Sequence, residues 1–152
     1  MKKYLFKVHG TYNIIIGCGR LGANLANTLS DEGFDVLIID RDKDAFRKLS
    51  PSFGGLTLNA DGTDYDVLQE AGIQQANAVI IVTNNDNTNI MLAQIAREIF
   101  KVERVIARLY DPERDCIYRE FGIDTICPAI LSAKEIDKLL GQAAAHIREE
   151  AV

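Results

Sequence analysis

Tyr12-Asn13-Ile14-Ile15-Ile16-Gly17-Cys18-Gly19-Arg20-Leu21-Gly22 is a short, mostly β-branched run, a glycine-rich turn and the opening of a helix. The run suits a buried strand. Downstream, Leu21, Leu25 and Leu29 recur at i, i+4 and i+8 and Gly33 follows them, which predicts a helix starting beside Arg20 and ending near Gly33. GxGxxG between a strand and a helix is the context in which the glycines have physical work to do. Gly17 permits the tight turn, Gly19 leaves room for a phosphate to approach the backbone, and Gly22 lets helix and strand pack closely. The free amides at the helix start then attract an anion.

The next strand, Val36–Ile39, runs into Asp40, at about the separation of 20 residues expected of an acid that accepts ribose hydroxyls. A 2′-phosphate would meet that carboxylate, so NADP is disfavoured relative to NAD(H), ATP, ADP or AMP. Arg20 can swing its guanidinium over a bound phosphate, or remain a surface side chain. Cys18 sits where a helix N-terminus lowers a thiol pKa, but small-residue packing explains it more simply.

The alternation continues outward. Further strands are predicted at Thr57–Leu58 with its flanks, Ala78–Thr83, Arg104–Ala107 and Thr125–Cys127. Helices fill the gaps: Lys43–Leu49 closed by Pro51, one capped by Asp64 and ended by Gly72, one over Asn87–Phe100, and one from Pro112 to before Gly122. In the Asn87–Phe100 helix, Met91, Ile95 and Ile99 are expected to face the sheet, with Asp86 as N-cap. These elements give an α/β fold: a Rossmann-type, doubly wound, parallel six-stranded sheet. An extra C-terminal helix carries Ile136, Leu139, Leu140, Ala143 and Ile147 as an apolar stripe suited to a partner. The expected organisation is a nucleotide-binding domain over residues 1–130 and an assembly helix over 131–152; residues 1–11 carry no reading.

With 152 residues the chain has the size of one domain, and 47% hydrophobic and 26% charged residues are near the averages for folded soluble proteins. A formal net charge of −5 argues against nucleic acid or an anionic membrane as partner. Lys7 falls where a signal peptide needs its apolar core, and no apolar run spans a bilayer, so a cytoplasmic protein without direct membrane insertion is expected. Cys18, Cys116 and Cys127 lack CxxC spacing, which disfavours zinc and a disulfide framework. His9, His146 and the tyrosines offer no proton-transfer pair: Tyr110 is followed four residues later by Arg114, not Lys. A small NAD-dependent oxidoreductase is therefore the alternative function, and a nucleotide-free scaffold a more distant one.

Asn59-Ala60-Asp61-Gly62-Thr63-Asp64, Val67–Ile73, Ala78–Asn89, Val105–Arg108, Asp111-Pro112-Glu113 and Gly122-Ile123-Asp124, together with Gly17–Gly22 and Asp40-Arg41, resemble the N-terminal RCK (TrkA-N) domain of Trk/Ktr-type potassium-uptake regulatory proteins. The resemblance runs from about Tyr12 to Ala133. It implies a nucleotide-binding gating subunit of a membrane potassium channel or transporter, held by that partner at the inner face of the cell membrane. By resemblance, Asp61 and Thr63 lie near the adenine edge, Thr83 and Asn84 near the phosphates or a second ribose, and Arg108 across the cleft, with Arg41 and Gly62 also among the cofactor-binding residues. Local chemistry also allows Asp61 to cap its own turn, and Asn84 to form the turn before a helix. Regulators of this family usually carry a second RCK subdomain, whereas this sequence stops at Val152. The resemblance thus implies a homo-oligomer or assembly with a second regulatory chain.

Overall fold

The structure, a computed structural model, describes residues 11–150, with side-chain surroundings given for residues 11–142. Six parallel strands, β1 (Tyr12–Ile16), β2 (Asp35–Asp40), β3 (Leu56–Asn59), β4 (Ala78–Ile81), β5 (Arg104–Arg108) and β6 (Asp124–Ile126), form one sheet in the order β3-β2-β1-β4-β5-β6. Every strand pair is parallel, so each connection must cross over a face of the sheet. The order reverses between β1 and β4, which opens a crevice at their C-terminal ends.

Alternate strand residues feed two cores, as a sheet covered on both faces requires. On one face Ile15, Val36, Ile38, Ile80 and Val82 pack with Ala23 and Ala26 of α1 (Arg20–Asp31). These two alanines are buried, whereas Leu21, Leu25 and Leu29 pack half-buried around them. Small residues thus bring the helix axis close to the sheet. On the other face Ile14, Ile16, Leu37, Ile39, Val79 and Ile81 meet Leu68 of α2 (Tyr65–Glu70), Leu92 and Ala93 of α3 (Asp86–Gln94), Ala96 just beyond it, and Tyr118 of α4 (Asp115–Glu120).

α3 (Asp86–Gln94) continues as a π-helical stretch, Ile95–Ile99. The expected sheet-facing stripe is overturned here. Met91 and Ile99 are exposed, and Ile95 is half-buried. The buried side is Asn89, Leu92, Ala93, Ala96 and Phe100, at i, i+3, i+4, i+7 and i+11, with alanine at two of the five positions. Residues Lys43–Lys48 form a 3₁₀ rather than an α-helical segment, and Pro112–Arg114 form a 3₁₀ turn leading into α4.

α5 runs over Pro128–Glu150, beginning three residues before the expected boundary at 131. Ile130, Leu131, Ile136, Leu139 and Leu140 are 40–64% exposed, so much of its apolar surface is left uncovered by the described chain. The expectations that rest on His9, Ala143, His146 and Ile147, and the reading of the first seven residues, lie outside the described side chains. Among the described residues, no helix is long and apolar enough to cross a membrane, and no three His, Cys, Asp or Glu residues come together as a metal site.

Candidate functional site

A cleft of about 380 Å³ opens at the β1–β4 switch point. This is within the range of small-molecule sites. The glycine loop forms its floor. Gly17 has φ +108°, and a Cβ there would lie 2.9 Å from the Val82 carbonyl group and the Thr83 nitrogen. A Cβ on Gly22 would lie 1.9 Å from the Gly17 oxygen. Both glycines are therefore demanded by the fold itself. Gly19 differs: its backbone is ordinary, and a Cβ there would meet nothing within 4 Å. The space in front of Gly19 is open, as a bound phosphate would require.

The start of α1, like the starts at Ile73 and Asp115, lacks the side-chain cap that four other helical segments have. The segments opening at Lys43, Tyr65, Asp86 and Pro112 are capped by the side chains of Asp42, Asp64, Asn85 and Asp111, each accepting from a first-turn N–H. Gly19 heads α1 with no side-chain cap. That leaves first-turn amides available to an anion. Arg20 is exposed and makes no hydrogen bond or ion pair among the described residues, and it stands outside the cleft lining, as do half-buried Leu21 and buried Gly22.

Asp40 has an additional duty that its sequence position did not disclose. Its Oδ2 accepts from the Cys18 N–H at 2.7 Å and its Oδ1 from the Asp42 N–H at 2.8 Å. The acid therefore braces the glycine loop, and each oxygen retains a lone pair for a ribose hydroxyl. Cys18 lines the cleft, yet it is fully buried and its thiol donates to the Ala45 carbonyl at 3.4 Å. Burial, and then the Asp40 carboxylate, push that thiol pKa up. The packing reading of Cys18 holds, and the lowered pKa that a helix start suggests does not.

Arg41, Asp61, Gly62 and Thr63 line the side of the cleft near Asp40. Asp61 Oδ1 accepts from the Thr63 hydroxyl at 2.7 Å and from the Thr63 N–H at 2.9 Å, and these bonds lower the Asp61 pKa. Asp61 does close its own turn. A Cβ on Gly62 would lie 2.7 Å from Ile16 Cγ2, so this segment crosses tightly over the end of β1.

Thr83, Asn84 and Arg108 line the opposite side. Arg108 Nη2 donates to the Val82 carbonyl at 2.7 Å and the Thr83 carbonyl at 3.0 Å, and its guanidinium carbon stands 4.9 Å from the Tyr110 ring centroid. Its Nε is buried without a partner. The side chain thus ties the ends of β4 and β5 together at the cleft wall. Asp86, expected as N-cap of α3, is instead the first helical residue, one place past Asn85, whose Oδ1 accepts from the Thr88 N–H at 2.9 Å. From there the Asp86 carboxylate reaches the loop after β5, accepting from Tyr110 N–H at 2.9 Å and Asp111 N–H at 3.0 Å.

Sequence reasoning missed Lys48, Asp42, Asn85 and Thr88, all in the lining. Lys48 Nζ stands 3.5 Å from the Cys18 carbonyl oxygen. A signal existed, because Lys48 lies i+3 from Ala45, the buried residue that packs on Cys18. The cleft lining thus includes Arg41, Lys48 and Arg108 as well as Asp40, Asp42 and Asp61, a mixed-charge set suited to a ligand with both phosphates and sugar hydroxyls.

The TrkA-N domain family matches residues 13–128. The Trk system potassium uptake protein TrkA of Streptomyces coelicolor is 46% identical over 123 residues, which cover 81% of this chain and 55% of that protein. The chain therefore spans about half the length of this relative. Among solved structures, the GsuK channel bound to NAD is 29% identical with a TM-score of 0.74, the match covering 88% of this chain and 24% of that one. GsuK bound to ADP is also 29% identical, with a TM-score of 0.73 over 88% of this chain and 35% of that one.

Proposed function

The chain belongs to the TrkA-N domain family, and on that premise we propose that it is a nucleotide-binding regulatory subunit that gates a membrane potassium channel or transporter. The ligand is NAD(H) or an adenine nucleotide, held by the Gly17–Gly19 loop, Asp40 and Arg41, the Asp61–Thr63 turn, and Thr83, Asn84 and Arg108. Arg20 closes over the phosphates from outside the cleft. NADP is disfavoured by the Asp40 carboxylate. The relatives that bear potassium-uptake names and the GsuK structures with NAD and ADP support this reading.

One observation carries it: the uncapped start of α1 behind the open space at Gly19, in a chain whose other capped segments use Asp or Asn. An anion at that point satisfies amides that nothing else in the described chain satisfies. The nucleotide works by population shift, favouring one arrangement of subunits over another to the extent that it binds the two unequally. Residues 131–152 serve assembly, with further copies or with a second regulatory chain, and the channel partner holds the complex at the inner face of the membrane.

The test is Gly19→Ala. The added methyl enters open space, so thermal stability should change by no more than about 1 kcal/mol, the scale of a helix N-cap substitution. Calorimetric titration with NAD⁺, NADH, ATP, ADP and AMP should show binding to wild type that weakens at least about tenfold in the variant, roughly 1.4 kcal/mol. Wild type that binds none of the five, or a variant that binds them equally well, refutes the reading.

A further inference from the structure

The first turn of α3 reaches two parts of the molecule. Asn85 and Thr88 line the cleft. Asp86, Asn87 and Asn89 reach instead the end of β5 and the chain that leaves it. Asn89 Nδ2 donates to the Arg108 carbonyl at 2.9 Å, and Asn87 Oδ1 accepts from Arg114 Nη1 at 2.6 Å. Between them, the Asp86 carboxylate accepts from two successive backbone groups, the Tyr110 N–H at 2.9 Å and the Asp111 N–H at 3.0 Å, one oxygen to each.

The Asp86 carboxylate is the contact to explain. It does not cap α3, because Asn85 does, and it does not line the cleft. Its charge suits a helix start, but that effect needs no partner in another segment. Bonds from N–H groups to a carboxylate are charge-assisted and stronger than neutral ones, and two on successive residues fix the direction of the loop as well as its position. The Asn89 bond grips the end of the strand and not the loop, and the Asn87–Arg114 bond is exposed to solvent.

The connection continues. Asp111, whose N–H is held by Asp86, accepts from the Glu113 N–H at 3.1 Å and so caps the Pro112–Arg114 turn that leads into α4. Asp115, the first residue of α4, accepts from the Thr125 hydroxyl on β6, and β6 runs into α5. Side-chain bonds therefore join the cleft-lining turn of α3 to the base of α5 without a break.

We propose that Asp86 is a positioning residue for regulation: it clasps the loop after β5 to the first turn of α3, so that occupancy of the cleft is transmitted to α4 and the base of α5. This rests on the cleft being the nucleotide site proposed above. A ligand against Asn85 and Thr88 restrains a turn whose neighbouring residue holds the loop. Openings of the loop that drag this turn from the ligand become rarer by mass action.

The experiment follows amide hydrogen exchange in the whole chain, free and saturated with ADP or NAD⁺. At about 100 times Kd, ligand should slow wild-type exchange in α4 at least about fivefold, within the limit that mass action sets for openings incompatible with binding. Asp86→Asn keeps the shape but turns one of the two acceptors into a donor facing an N–H. In this variant the bound-to-free ratio in α4 should fall below about twofold, while ligand still protects the amides of Gly17–Gly22. A merely structural role would speed exchange in the free and bound protein alike and leave the ratio unchanged. Asn87→Ala, which removes the exposed partner of Arg114, should keep the wild-type ratio. If Asp86→Asn does not fold, Asp86→Glu, which keeps the charge but displaces both oxygens, takes its place with the same expectation. Wild type that binds without slowing in α4, or an Asp86 variant that keeps the wild-type ratio, overturns the inference and leaves the nucleotide site standing. Failure of both ligands to bind wild type overturns both.

Discussion

At the cleft, polar side chains are held by the backbone around them, whereas along α5 large apolar side chains stand exposed. Asp40 is fixed by the N–H groups of Cys18 and Asp42, Asp86 by those of Tyr110 and Asp111, and Asn89 by two carbonyls. Ile136, Leu139 and Leu140 stand 55–64% exposed in the same chain. The first region is preorganised, so a ligand entering it orders little that was not already ordered. The second is an unsatisfied surface that gains when it is covered. The proposed small-molecule site and the proposed assembly surface thus lie in separate parts of the chain.

The sharpest way to break this comparison is Gly22→Ala. The new methyl would sit 1.9 Å from the Gly17 oxygen, backbone against backbone, so the loop must move. A loss of about 3 kcal/mol or more is expected on thermal or urea unfolding, at the upper end of overpacking costs. A change under about 1 kcal/mol would mean that the cleft is looser than its contacts indicate.

An alkaline titration tests how far the rigid region extends toward α5. Tyr118 of α4 is 1% exposed, and burial, followed by the Asp86 carboxylate, pushes its phenol up to about 12. A group whose folded pKa is raised contributes stability that is full below its unfolded value, near 10, and is lost as pH rises through the folded value. Unfolding free energy should therefore decline between about pH 10 and 12, and this decline should be weaker in Tyr118→Phe. Ultraviolet difference spectra should show an ionisation step near pH 12 that is missing in Tyr118→Phe. The absence of that difference would place α4 with the loosely held region instead.

The smallest effect is expected on α5. Leu139→Ser with Leu140→Ser should change the unfolding free energy of the isolated chain by no more than about 0.5 kcal/mol, as for surface substitutions. The same pair should shift sedimentation toward the smallest species if the stripe is an assembly surface. A large stability loss at dilute concentration would show that α5 packs on its own body after all.

Much of the fold is written in local pattern. The run from Tyr12 to Gly22 specifies strand, turn and helix through residues that admit few other conformations, and Asp64 before α2 is the cap its side chain permits. The α3 face was misread because its buried side uses Ala93 and Ala96, whose value lies in bringing the helix close to the sheet and not in the apolar bulk that Met91 and Ile99 display. The cleft lining was largely legible, since Gly17, Asp40, Asp61, Thr83 and Arg108 do converge on one space. The brace made by Asp40 and the reach of Lys48 were not. Each depends on a contact between segments more than 20 residues apart, which spacing along the chain does not encode.

The length of α5 has a mechanical consequence. Twenty-three residues of helix make a rod roughly 35 Å long at 1.5 Å per residue. Its base follows β6, which pairs with β5, and β5 ends in Arg108 at the cleft wall. A tilt of about 10° at that base would carry the far end about 6 Å over the same length. Tilted in that way, the rod would act as a lever whose short arm ends where the nucleotide is proposed to sit.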